Sequence, residues 1–178
     1  MLTSTPLQRG FTLIEAMITT VILAVLLLLA VPVARDFLLN QRIRTAAETF
    51  QSGLQYARAE AAHRNSNVEF VHGTGSTWTV RLVSDGSTLK LRPSEEGTDG
   101  VVVTVLPGDA TRVTFDGFGF PTRNADGSAR LTRATIDLDP SVLSADRTRE
   151  LRIDIDAAGE SRLCDPNVTD PADSRYCS

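Results

Sequence analysis

The side chains that ordinarily carry chemistry are few in this chain and mostly far apart. His63 and His72 are its two histidines. Neither sits in an H-E-x-x-H, C-x-x-C or G-x-S-x-G pattern that would supply a metal ligand set or an activated nucleophile. The stretch Gly73-Thr74-Gly75-Ser76 lacks the lysine and the spacing of a phosphate loop and reads as a turn. Asp137, Asp139, Asp154 and Asp156 would have to converge to hold calcium, and solvated strand positions account for them more simply. These residues give no catalytic group, metal site or cofactor motif. Two features remain. Glu15 is the only formal charge in residues 11–33, where a carboxylate costs about 2.5–3.5 kcal/mol on membrane-insertion scales and so demands a partner. A cut between Gly10 and Phe11 would create an amine four residues earlier, within reach of that carboxylate on the same or a neighbouring subunit. Cys164 and Cys177 flank the loop-type sequence DPNVTDPADSRY. They are either free thiols or, as the two prolines in that loop favour, a disulfide contributing about 3 kcal/mol in an oxidising compartment.

The elements that would position these residues follow from pattern. A chain of 178 residues suits one compact domain with an appendage. With 18 basic and 22 acidic residues it carries a net charge of -4, which excludes a global attraction to nucleic acid or to an acidic membrane surface. Its apolar fraction of 42% is ordinary, but residues 11–33 are almost uniformly apolar. As a helix they would reach about 34 Å, enough to cross a bilayer. A cleaved secretory signal would have a shorter apolar core followed by a small-residue cleavage site, whereas here Arg9 and Gly10 precede a full-length span. Basic residues on both sides (Arg9 before, Arg35, Arg42 and Arg44 after) leave the orientation open, and the cysteines favour a translocated C-terminal part. Beyond the span, Leu39, Ile43, Ala46 or Ala47, Phe50, Leu54, Ala57 and Ala61 mark one helical face, and Asn65-Ser66-Asn67 stops the helix. Strands are expected over 68–72, 77–84, 88–92, 101–106, 112–116, 129–138, 150–156 and 161–164, with Trp78 in the core and hairpin turns at Asp85-Gly86 and Asp126-Gly127. No helical pattern intervenes, so the sheets should be antiparallel, with the amphipathic helix covering one face.

The sequence G-F-T-L-I-E followed by an apolar run resembles the leader and mature N-terminus of type IV prepilins and type II secretion pseudopilins. LQYARAEAAHRNSNV, VTFDGFGFPTRNADGSARL and RELRIDIDAAGESRLCDP further resemble the GspH/FimT family, closest to its FimT-type members, over nearly the whole chain. The resemblance implies an α+β, type IV pilin-like fold: a long N-terminal helix, membrane-spanning in its first half, packed on an antiparallel two-sheet β domain. It implies cleavage between Gly10 and Phe11 by a prepilin peptidase, N-methylation of Phe11, registration of subunits by Glu15, and a helix that bends or melts at Pro32. The expected layout is a leader at 1–10, the span at 11–33, an amphipathic continuation at 34–65 and a periplasmic or extracellular β-rich domain at 66–178 with a C-terminal disulfide loop. The implied partners are major and minor pilins or pseudopilins, the peptidase and an inner-membrane assembly platform. The implied location is the bacterial inner membrane, single-pass, and then the filament. The function implied is a minor pilin that starts or tips a pilus, with a link to natural transformation; the alternative is a type II secretion minor pseudopilin, and a second alternative is a pilus DNA-uptake receptor. A rival from another class, a membrane-tethered binding module or enzyme with an accidental leader, predicts no cleavage after Gly10. Some FimT-type pilins bind DNA through a C-terminal G-R-x-R motif, and the matching residues here are Gly159, Glu160, Ser161 and Arg162. An acid at Glu160 and the nearby Asp165, Asp170 and Asp173 leave only Arg162 and Arg175 as cations, which disfavours DNA as a ligand.

Overall fold

The computed structural model describes residues 11–177. The chain divides into two compact units at Phe37/Leu38. A single helix, α1 (Leu13–Arg64), runs through both. Thr12 caps its start by accepting a hydrogen bond from the Glu15 amide (3.3 Å). Its end is a Schellman turn: Ser66 N–H donates to Ala61 O (3.2 Å), Asn65 N–H donates to Ala62 O (3.4 Å), and Asn65 takes the left-handed conformation at φ 47°. The helix continues through Pro32, although proline cannot donate to Leu28 O. Of the two outcomes expected there, a bend or melting, the unbroken helix leaves the bend.

In the first unit the apolar side chains of α1 are exposed along its length. The hydroxyls within it are satisfied locally: Thr19 and Thr20 both donate to Ala16 O at 3.0 Å.

In the second unit α1 buries Leu39, Ile43, Ala46, Ala47, Phe50, Gly53, Leu54, Ala57 and Ala61, the predicted stripe with Gly53 added. The described residues of this unit also form nine strands: β1 (Val68–His72), β2 (Trp78–Leu82), β3 (Thr88–Arg92), β4 (Val101–Leu106), β5 (Arg112–Phe115), β6 (Pro121–Thr122), β7 (Arg133–Leu138), β8 (Leu151–Ile155) and β9 (Ser161–Cys164). One sheet has the order β3-β2-β1-β5-β6 and the other β4-β7-β8-β9, every neighbouring pair antiparallel. The strands differ from expectation in three places. The two-residue strand β6 was not anticipated. Asp126-Gly127 turns the chain between β6 and β7, which lie in different sheets, so it closes no hairpin. The expected strand 129–138 also starts late, because residues 130–132 cross between the sheets. Leu131 N–H donates to Arg112 O of the first sheet (2.8 Å) and Thr132 N–H to Leu106 O of the second (2.9 Å).

The centre of the core is aromatic. Phe50 meets Phe70 edge-on at 4.8 Å between centroids, and Phe70 stacks on Trp78 at 5.7 Å. The other face of β1 carries Glu69, only 5% exposed. It is held by Arg81, its partner in register on β2, and by Arg112 at 3.5 Å, which also reaches Asp126 at 3.1 Å. A buried carboxylate is tolerable only with such partners. Asn124 pins the crossing loop, donating to Ser128 O and Ala129 O while accepting from Thr114 Oγ1.

His72 ends β1 with its ring 5.9 Å from Phe50. Burial pushes its imidazole pKa below the ordinary value, partly opposed by the Thr77 and Val103 backbone. With the folded value depressed, the unfolded chain takes up the proton first. Stability is then full above the unfolded value of about 6.5 and falls as pH drops from there toward the folded value. Urea midpoints at pH 7.5 and 5.5 should separate for the wild type and converge in His72→Phe, which removes the titrating group; an equal separation in both proteins would assign the slope elsewhere.

Candidate assembly site

The N-terminal candidates occupy the first turns of α1. Phe11 is exposed and precedes the Thr12 cap, and Glu15, also exposed, lies in the first turn. Thr12 and Glu15 have the S/T-x-x-E spacing of a capping box. The sequence reading missed this although the residue types displayed it. Glu15 thus stands at the positive end of the helix dipole, where a carboxylate is favoured and where an amine on residue 11 would be close in sequence. Gly10 and the rest of the leader expected at 1–10 lie outside the described residues. Among the described residues one helix is long and apolar enough to cross a membrane, by length and composition.

The C-terminal candidates form a separate group at the end of the second sheet. Cys164 and Cys177 are joined in a disulfide with Cα atoms 5.2 Å apart. Arg162 points at this loop, its guanidinium donating to Ser174 O (3.3 Å) and Tyr176 O (3.1 Å). Asp165 N–H donates to Arg175 O at 2.8 Å and Arg175 pairs with Asp173 at 2.8 Å. Hydrogen bonds from Arg175 hold the Asp173 carboxyl down at about 2. Both cations considered for DNA are therefore engaged within the loop. Replacing both cysteines by serine is expected to cost up to about 3 kcal/mol, moderated by the Arg162 clamp. Limited proteolysis should then cut within 165–177, and an unchanged digestion pattern would show that Arg162 suffices.

The four aspartates weighed for calcium are occupied singly. Asp154 sits between Arg133 (2.6 Å) and Arg152 (2.8 Å), Asp137 accepts from Leu138 N–H, Asp139 from Ser141 N–H and Asp156 from Glu160 N–H. Gly159 has φ +79°, and a Cβ there would lie 2.9 Å from Phe115 and from Pro121, so the turn before Glu160 is seated on β5 and β6.

The family model described as Type II transport protein GspH matches residues 46–159. The chain belongs to the GspH family. A second model, the prokaryotic N-terminal methylation motif, matches residues 6–31. No curated protein matches this GspH-family chain. Among solved structures it is similar to the type IV minor pilin FimU of Pseudomonas aeruginosa PAO1, at 19% identity and a TM-score of 0.49 over 69% of this chain and 88% of that one. It is also similar to EpsH, the minor pseudopilin of the type 2 secretion system of Vibrio cholerae, at 15% identity and a TM-score of 0.48 over 71% of this chain and 99% of that one.

Proposed function

We propose that this GspH-family chain is a minor type IV pilin of the FimT type, a structural subunit that starts or tips a pilus and has no catalysis of its own. The observation that carries the reading is an N-terminal methylation motif that leads directly into an exposed apolar helix, capped by Thr12 and bearing one carboxylate at Glu15. In this reading residues 1–10 are removed by a prepilin peptidase and Phe11 becomes the methylated N-terminus. Residues 11–33 hold the subunit in the bacterial inner membrane, and residues 34–65 continue the helix into a periplasmic domain at 66–178 that selects partners. Glu15 registers the subunit against its neighbours by pairing with an N-terminal amine, and Pro32 weakens the helix where it leaves the bilayer by leaving Leu28 O without its donor. The partners are other pilins and the inner-membrane platform.

A second reading, the minor pseudopilin of a type II secretion machine, is favoured by the description of the matching family model. The use of Arg162 and Arg175 within the C-terminal loop supports a structural role for both and weighs against a DNA-uptake receptor built on them.

The test is the mass of the N-terminal peptide from cells with and without prepilin peptidase. An N-methylated Phe11 that requires the peptidase is expected; an intact Met1 in both strains would remove the filament reading. Loss of the chain from sheared pili, against loss of a secreted exoprotein, on deletion of its gene separates the two machines.

A further inference from the structure

The loop before β6 and the turn before β9 meet α1 at a cleft that membrane anchoring and N-terminal registration do not use. It has a volume of about 560 Å³, and Gln55, Arg58, Ala59 and Ala62 of α1 line it together with Phe118 and Glu160. The backbone that carries the last two is held on both sides. The Asp116 carboxylate accepts from Phe118 N–H (2.9 Å) and Phe120 N–H (3.0 Å), and Asp116 N–H donates to Phe120 O (2.9 Å). In the other turn the Asp156 carboxylate accepts from Glu160 N–H at 2.8 Å, and Gly159 N–H donates to Asp156 O at 3.2 Å. The Phe118 ring itself stands out from this frame, 81% exposed. An apolar ring left so open gains free energy when a partner covers it, and a backbone ordered in advance lowers the cost of that step.

Charge selects what covers it. Among the residues lining the cleft the one cation is Arg58, whose Nε–H donates to Gly119 O at 3.1 Å. Against it stand the carboxylates of Glu160 and of the two turns, Asp116 and Asp156. Among the described residues none of these three acids is paired with a cation. Asp116 and Asp156 are engaged with backbone N–H groups, so Glu160, which is exposed, is the one left to be met from outside. A phosphate would be repelled there. A lysine or arginine would be attracted, because its methylene stem can lie on the Phe118 ring while its charged head reaches the Glu160 carboxylate. An exposed aromatic ring beside an unpaired acid is thus an anchor for a segment that is both apolar and basic. The C-terminal loop of a second copy lacks that chemistry, since it carries Asp165, Asp170 and Asp173 against Arg175, which Asp173 already holds. A subunit that starts or tips a filament also has chains other than its own for neighbours.

We propose that the cleft lined by Phe118 and Glu160 receives a segment of a different filament subunit that carries a lysine or arginine beside an apolar side chain. The proposal rests on the minor-subunit reading and names the contact by which the β-rich unit selects its neighbour. The test places the photoreactive residue p-benzoylphenylalanine at position 118 of the full chain, irradiates cells that assemble the filament, and identifies the adduct by mass spectrometry. A covalent adduct to another pilin subunit is expected, with a lysine or arginine beside the point of attachment. Glu160→Arg should lower the yield of that adduct at least about tenfold. Changing the partner's cation to glutamate should restore it in the Glu160→Arg background, which a misfolded subunit could not do. An adduct to a second copy of this chain, to lipid or to nucleic acid would overturn the proposal. So would no adduct, a yield indifferent to Glu160→Arg, or no recovery when both charges are reversed. The mass of the N-terminus in the same cells keeps the two questions apart. A chain that begins at Phe11 and gives no adduct defeats the cleft contact alone, whereas an intact Met1 in cells that contain the peptidase defeats the filament reading and the contact with it.

Discussion

Valine in place of Gly53 is expected to destabilise the β-rich unit by more than about 3 kcal/mol, the upper end for overpacking a well-filled core. Gly53 lies in the middle of α1 on its buried face, and a Cβ there would sit 2.8 Å from Phe70 Cε2 and 3.0 Å from two atoms of the Trp78 ring. Neither ring can yield easily, since Phe70 stacks on Trp78 and meets Phe50 edge-on. Even Gly53→Ala, which would gain about 1 kcal/mol in an exposed helix, should come out destabilising by about 1–2 kcal/mol. Trp78 is the only tryptophan, so its fluorescence during urea unfolding reports on the site itself. An alanine variant more stable than wild type would mean that α1 has room to move off the sheet.

Replacing Glu15 by leucine and by glutamine should divide two roles that overlap at this position. Leucine removes a charge that costs about 2.5–3.5 kcal/mol within a span, so membrane insertion should be unchanged or easier, while recovery in sheared filaments should fall at least about tenfold. Glutamine retains the hydrogen-bonding type favoured at the third position of a capping box and deletes only the charge. The cap observed in the structure uses the residue 15 amide and Thr12 Oγ1, which glutamine leaves intact. Glu15→Gln should therefore insert normally, keep the helix start and still fail to incorporate. Wild-type levels of the glutamine variant in filaments would sink the idea that the carboxylate pairs with a neighbouring amine and leave helix capping as its role.

Much of the fold was legible because the period of the apolar residues carries it. The α1 stripe, the strands at 68–72, 88–92, 101–106 and 161–164 and the core position of Trp78 follow directly from alternation and helical spacing. Gly53 was missed for a physical reason: a glycine has no apolar signature, and its importance comes from rings on strands that reach it only in three dimensions. Strand β6 was missed because two residues, one of them proline, contain no period at all, and its pairing is imposed by β5. At Asp126-Gly127 the turn chemistry was recognised correctly, but nothing local says that the strands on either side belong to different sheets. Of the assembly candidates, Glu15 announced itself by being a charge among apolar neighbours. Arg162 carried no such mark, since the carbonyls of Ser174 and Tyr176 that engage it belong to a loop fixed by a disulfide. The exposed knuckle at Phe118 was equally silent, because burial is decided by the tertiary fold and a phenylalanine beside glycines reads the same inside or out.

The order of strands in the two sheets also dictates when the molecule can finish folding. β1 lies between β2, which follows closely in the chain, and β5, which begins only at Arg112, while β4 has to wait for β7 at Arg133 and β9 closes the second sheet at Cys164. A chain emerging N-terminus first, from a ribosome or across a membrane, therefore presents the apolar face of α1 long before the second sheet exists to cover it. Pairing over such sequence separations is slow to nucleate. During its delivery the polypeptide spends its most vulnerable interval as a helix with an uncovered stripe and a half-built sheet, the state that a holding chaperone would have to recognise.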